Sequence, residues 1–248
     1  MLKYAFVTNA GGRKYNEDCL KISSVSNRHC FVVCDGLGGH EYGDVAAGIA
    51  AETFIDELYY CEDMSGYLLK TFMKAQKRIE ACQKESKTKK DMRTTVVSMV
   101  TDETYLYVGH VGDSRFYGFR EDGSCVRTLD HSIPQLLVQS HMIAEHEIRN
   151  HPKRNMLLKV MGDKWDEPLC ELSKPMQLNE FSALLLCSDG FWELITETEM
   201  TETLFSSTSP QEWLDKMLKI VVSNGNAEKM DNYSAIAVFV RKNGVGHR

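Results

Sequence analysis

Phe31-Val-Val-Cys-Asp35-Gly36 decides how this chain is read: an apolar, β-branched run ends in an acid beside a glycine. Two further stretches repeat the pattern, Tyr105-Leu-Tyr-Val-Gly-His-Val-Gly-Asp113-Ser114 and Ala183-Leu-Leu-Leu-Cys-Ser-Asp189-Gly190. A fourth acid, Asp231, stands just before Tyr233-Ser-Ala-Ile-Ala-Val-Phe-Val240. Runs of this length and composition read as buried strands, so the four carboxylates mark strand ends. Strand ends gathered on one rim of a sheet assembly make an oxygen-rich site for hard divalent cations. Asp-Gly after a strand is also ordinary turn chemistry. The recurrence, and an acid at the start of the last strand where no turn calls for one, favour the cation site.

The rest of the composition narrows the class. A chain of 248 residues, 43% hydrophobic and 26% charged, buries a sizeable core and reads as one globular domain over residues 1–248. The net charge of -6 and the lack of a basic stripe argue against a nucleic-acid surface. Lys84, Lys87, Lys89 and Lys90 form the single basic stretch and read as a solvated helix end or loop. The eight cysteines carry no C-x-x-C pair, and several lie inside apolar strands, which suits a reducing compartment. No signal peptide and no membrane-length apolar run is apparent, so a soluble, cytoplasmic protein is expected.

Helical spacing places core stripes at Val45, Ile49, Phe54 and Leu58, and again at Met64, Leu68, Phe72, Ala75 and Ile79. Strands are expected over 94–101, 104–111 and 115–120, joined by turns at Asp102-Glu103 and Glu121-Asp-Gly123. From Asp130 to Asp163 the pattern turns helical and polar. Thr196-Glu-Thr-Glu199 and Ser209-Pro-Gln-Glu212 match the capping box. Asn224-Gly225 is expected to end the second of these helices in a left-handed residue. Together these predict an α+β fold: an antiparallel β-sandwich of two sheets flanked by helix pairs.

Read in order, the motifs resemble the metal-dependent serine/threonine protein phosphatases of the protein phosphatase 2C-like (PPM) family, most of all its stand-alone bacterial members. Gly12-Arg13-Lys-Tyr-Asn16-Glu17-Asp18 is similar to that family's G-x-R-x-x-N-E-D, and Asp35-Gly-Leu-Gly-Gly-His40-Glu-Tyr-Gly43 to its D-G-x-G-G-H-x-x-G. Thr94-Thr95, Gly112-Asp113-Ser-Arg115, Asp130-His131-Ser132, His151-Pro-Lys-Arg-Asn155, Ser188-Asp189-Gly190 and Asp231-Asn232 follow in the family's order.

The resemblance implies hydrolysis of phosphoserine and phosphothreonine on proteins by a water bridging two Mn²⁺ or Mg²⁺ ions. Asp35 would bridge the ions, with the Gly36 carbonyl, Asp189 and Asp231 completing the ligand set. Glu17 and Asp18 would hold metal-bound waters, Arg13 would grip the substrate phosphate, and Asp113 would serve a third, weaker ion. Segment 132–163 would be a flap beside the site. The implied partners are phosphorylated proteins and a cognate Ser/Thr kinase, without nucleic acid or membrane. Two cations about 3.5–4 Å apart lower the pKa of a shared water and clamp phosphoryl oxygens, and an arginine fork suits phosphate. With direct attack by water, the cysteines need not be catalytic.

Simpler readings compete for single residues. Arg13 could pair on the surface with Glu17 or Asp18. His40, His131 and His151 read first as turn, helix-start or packing residues, and Arg115 as a brace for a carboxylate. Two positions depart from the family. Many eukaryotic relatives carry a histidine, proposed to protonate the leaving group, where this chain has Leu37. Bacterial relatives usually have glycine at His141. Two other functions stay open: a pseudophosphatase that binds a phosphorylated partner, and a metal-dependent phosphodiesterase or nuclease.

Overall fold

The structure, a computed structural model, describes residues 2–37, 42–85 and 92–240. In chain order the strands and helices begin with β1 (Lys3–Asn9), β2 (Cys19–Val25), β3 (Arg28–Cys34), β4 (Gly36–Leu37), α1 (Gly43–Tyr59) and α2 (Met64–Glu85). β5 (Arg93–Thr94), β6 (Val96–Thr101), β7 (Tyr105–Val111), β8 (Arg115–Phe119), β9 (Cys125–Arg127) and α3 (Ile133–Gln139) follow. The chain continues through β10 (Glu171–Leu172), β11 (Met176–Gln177), β12 (Ala183–Cys187), α4 (Asp189–Trp192), α5 (Glu197–Phe205), α6 (Pro210–Asn224) and β13 (Tyr233–Phe239).

Two antiparallel sheets stack face to face. One runs β1-β13-β12-β8-β9, the other β10-β7-β6-β3-β2 with β11 also on β7. Phe31, Val33, Val97 and Met99 of the second sheet meet Phe116, Leu184, Leu186 and Ile236 of the first. The opposite faces are covered as well. α1 and α2 lay Ala46, Phe54, Phe72 and Ile79 over Cys30, Val32 and Val100. α5 and α6 lay Met200, Trp213, Leu214 and Met217 over Tyr117, Leu185 and Ala237. Burial on both faces explains why Cys30–Cys34 of β3 and the whole of β12 are apolar instead of alternating. Each fully buried Leu or Phe contributes about 1.5–3 kcal/mol.

Register then gathers the acids. Val33 pairs with Val97 and Val111 with Val96, so β3 and β7 both end at the start of β6. In the other sheet Cys187 pairs with Ala235, so the end of β12 lies beside the start of β13. Asp35, Asp113, Asp189 and Asp231 all sit at these ends and line a common cleft.

Three local expectations are corrected. Residues 130–163 are not mainly helical: they hold α3 and a 3-10 turn at Glu145–Asn150, and the rest is turns and isolated bridges. Gly225 is extended, at φ -78° and ψ 151°. A Cβ there would stand 2.8 Å from Met230 Sδ and 3.2 Å from Val221 O, so a larger residue would require the flexible Met230 side chain to shift. Thr196 and Glu199 form a full capping box, but Glu212 bonds the Thr208 N–H, one residue before the Ser209 cap.

His141 adopts φ 57°, the left-handed conformation that glycine takes at the end of a helix. The N–H of His141 donates to Val138 O and that of Met142 to Leu137 O, the paired bonds of a Schellman ending for α3. The departure from glycine therefore leaves the backbone turn in place.

Candidate active site

Each acid reaches the cleft through a distinct local device. Asp35 leaves β3 with its N–H donating to Thr95 Oγ1 at 3.1 Å, and its carbonyl accepts from Thr95 N–H at 2.8 Å. Gly36 then pairs with Thr94. A Cβ on Gly36 would lie 2.4 Å from the Gly43 carbonyl carbon and 2.7 Å from Glu17 O, so only glycine lets the chain pass there. Asp189 opens α4, and a Cβ on its neighbour Gly190 would meet Asn232 O at 2.1 Å. That close approach sets α4 against the start of β13. Asp113 follows Gly112 at φ 97°, and Trp192 Nε1–H donates to its carbonyl at 3.0 Å.

Asn232 ties the loop after β1 to this rim. Its side-chain amide donates to Ala10 O and Tyr15 O, and its Oδ1 accepts from Glu17 N–H, with all three distances between 2.8 and 2.9 Å. The loop thereby delivers Arg13, Glu17 and Asp18. Arg13 Nη2 donates to Asp231 Oδ2 at 2.8 Å, with both side chains about half exposed. The surface pair is thus with Asp231, not with Glu17 or Asp18. Beneath the cleft, Ser188 accepts from Ser234 N–H and donates to Asp18 Oδ2 at 2.8 Å. Among the described residues Asp18 Oδ1 is buried with no hydrogen-bond partner.

The cleft holds about 540 Å³ and is lined by Arg13, Glu17, Asp35, Asp113, Asp189 and Asp231, with Leu37, Asn155 and Leu157 at its walls. Its electrostatics are unfavourable without a cation. Burial, then the charges of Asp189, Asp18 and Asp113, push the Asp35 carboxyl well above the usual carboxylate range. Burial and the Asp189 and Asp130 charges do the same to Asp113. Asp18 and Asp189 are raised by burial first and by neighbouring carboxylates second. An all-oxygen donor set, mutual repulsion and one orphaned buried oxygen together fit hard divalent cations.

Other singled-out residues brace the site. Arg115, fully buried, forms a bidentate pair with Asp130 at 2.7 Å twice, donates to Tyr117 Oη at 2.9 Å and lies 3.3 Å over the Trp192 ring. His131 stacks on His110 with centroids 4.6 Å apart and planes 12° from parallel. His110 Nε2 bonds Leu129 O, and His131 Nδ1 accepts from Gly112 N–H. With Glu171 these rings come within metal-ligand reach, but parallel rings do not aim their in-plane lone pairs at one ion. They act as packing at the root of segment 132–163. His151 Nδ1 caps Lys153 N–H, and His40 lies outside the described residues.

Sequence reasoning passed over Glu193. It stands four residues after Asp189 and bonds Arg154 at 3.0 Å, linking segment 132–163 to α4. Burial and the Asp189 charge raise its carboxyl to about 7. The i, i+4 spacing from an acid already singled out was the available signal.

The chain matches the protein phosphatase 2C family model over residues 10–233. It is similar to the serine/threonine phosphatase stp of Listeria monocytogenes, 30% identical over 225 residues that span 88% of either chain. The serine/threonine phosphatase Stp1 from Staphylococcus aureus has a TM-score of 0.87 at 27% identity, covering 98% of this chain and 96% of that one. The catalytic domain of the phosphatase PstP, solved in complex with two manganese ions, shares the fold at a TM-score of 0.79 and 22% identity, over 96% of this chain and 97% of that one. Matched along most of its length, and carrying the strand-end carboxylates in one cleft, the chain belongs to the protein phosphatase 2C family.

Proposed function

We propose that this cleft hydrolyses phosphoserine and phosphothreonine on proteins, holding two Mn²⁺ or Mg²⁺ ions at Asp35, the Gly36 carbonyl, Asp189 and Asp231. Glu17 and Asp18 would support these ions, and Asp113 would hold a third. The observation that carries this reading is the convergence of four strand-end acids on one cleft beside Arg13, with the buried Asp18 carboxyl held behind them by Ser188. Ions of this kind, when bound, lower the pKa of water and neutralise phosphoryl charge.

The chain's own residues do the remainder. Arg13 pairs with Asp231, a carboxylate that would also hold an ion, and once released from that pair its fork would be free for a phosphate oxygen. Asn232 and Ser188 hold the loop and Asp18 in place before substrate arrives. Leu37 has no dissociable proton to give, so the leaving alkoxide takes its proton from a group other than residue 37. Residues 132–163 act as a flap that reads the protein around the phosphate, since Asn155 and Leu157 reach the cleft wall.

Phosphorylated proteins are the substrates in this reading, and a cognate Ser/Thr kinase supplies them. Eight free cysteines support a reducing, cytoplasmic setting. Among the described residues no helix is long and apolar enough to cross a membrane. The acidic net charge speaks against a nuclease. The test sets a phosphothreonine peptide beside a nitrophenyl phosphodiester, each with Mn²⁺. Phosphate release from the peptide alone is expected. Faster turnover of the diester would favour the phosphodiesterase, and tight peptide binding without turnover the pseudophosphatase.

A further inference from the structure

Between the two strand ends that carry Asp35 and Asp113 lies a buried pair of hydroxyls. Thr95 Oγ1 and Ser114 Oγ are 2.7 Å apart, and both residues are almost fully buried. Thr95 faces the other way as well, since its Oγ1 accepts the Asp35 N–H at 3.1 Å while its own N–H donates to Asp35 O at 2.8 Å. Ser114 directly follows Asp113. One hydroxyl therefore connects the main chain of an acid after β3 with the residue beside an acid after β7.

The space around this link is tight. A Cβ on Gly112 would stand 2.6 Å from both Cβ and Cγ2 of Thr95, so the threonine methyl is wedged under the turn that presents Asp113. The preceding residue extends the connection to the flap. Thr94 exchanges both backbone hydrogen bonds with Met161, at 3.2 and 2.9 Å, and its hydroxyl donates to Asp35 O at 2.8 Å.

We propose that Thr95 is a positioning residue for the cation site. Its hydroxyl fixes the Asp35 main chain relative to Asp113, so that the carboxylates are spaced for ions before any ion binds. This rests on the cation-site reading given under Proposed function. Removing the hydroxyl while keeping the shape leaves the Asp35 N–H and the Ser114 hydroxyl without a buried partner. Their cheapest relief is a shift of the Asp35 backbone.

The experiment is calorimetric titration of Mn²⁺ into the full chain without substrate, for wild type, Thr95→Val and Thr95→Ser, with thermal melts of the chelated proteins alongside. The expected result is Mn²⁺ affinity about tenfold weaker in Thr95→Val and restored within about twofold in Thr95→Ser. Turnover of an aryl phosphate at saturating Mn²⁺ should recover in Thr95→Val, which separates positioning from chemistry. A Thr95→Val protein that melts lower when chelated but binds Mn²⁺ like wild type would overturn the proposal and leave Thr95 a packing residue. Should Thr95→Val fail to fold, Ser114→Ala removes the other end of the pair. Weakened Mn²⁺ binding in Ser114→Ala supports the proposal, and unchanged binding overturns it. Wild type that binds no Mn²⁺ would instead overturn the cation-site reading itself.

Discussion

Asp189→Asn should make the chelated protein more stable while abolishing its response to Mn²⁺. Burial and the Asp231 charge raise the folded-state Asp189 carboxyl from 3.8 to about 6. Between those values the native state binds more protons than the unfolded chain, so stability falls as pH rises through that window and levels off above it. The shift corresponds to about 3 kcal/mol of destabilisation at pH 7.5 as an upper figure, with relaxation and water entry reducing it. At about 2–4 °C per kcal/mol for a chain of this size, the asparagine variant should melt several degrees above wild type in EDTA at pH 7.5. The advantage should shrink towards zero as the pH approaches 4. With Mn²⁺ at about a hundred times its dissociation constant, wild type gains about 2.7 kcal/mol. The variant should gain little, so the order of melting reverses. Differential scanning fluorimetry over pH 4–8, with EDTA and with Mn²⁺, measures all of this. A variant that melts below wild type in EDTA at pH 7.5 would refute the claim that these carboxylates repel one another.

Gly190→Ala places a Cβ 2.1 Å from Asn232 O and should force α4 away from β13, lowering both the melting temperature and Mn²⁺ affinity, as melts and calorimetry would register. Arg115→Met leaves the buried Asp130 carboxylate facing the more distant Arg127 at 3.8 Å and should cost up to about 3–5 kcal/mol in urea unfolding. Arg115→Lys should recover only part of this, because an ammonium cannot make the two-point pair. Arg13→Ala should raise KM for a phosphopeptide, with kcat falling too if the fork tightens in the transition state. Unchanged constants would confine Arg13 to its pair with Asp231.

The two-sheet layering and the strand-end acids were legible because the signal was local: apolar runs long enough to be strands, each touching an acid. α4 was not, since four residues from Asp189 to Trp192 carry no helical period. The same limit misjudged residues 130–163, where polar composition passed for helix but turns dominate. The partners of paired charges on separate elements were not legible for a different reason. Arg115 with Asp130 and Arg154 with Glu193 are set by which elements the fold brings together, not by spacing along the chain. Arg13 was singled out, yet its partner Asp231 lies 218 residues away and no nearby pattern announces it. Gly225 follows its helix as expected but in an extended conformation that any residue adopts, instead of at a positive φ.

Everything proposed for this cleft depends on Asp35 and its neighbours holding cations that promote hydrolysis of phosphate monoesters on proteins. The most direct measurement is the steady-state release of phosphate from a phosphothreonine peptide by the chelated full chain, before and after Mn²⁺ is added back, for wild type and Asp35→Asn. Wild type should be silent after chelation and recover with Mn²⁺, and Asp35→Asn should stay near background at every Mn²⁺ concentration while remaining folded by circular dichroism. Full wild-type turnover after exhaustive chelation, or normal turnover by folded Asp35→Asn, would contradict it.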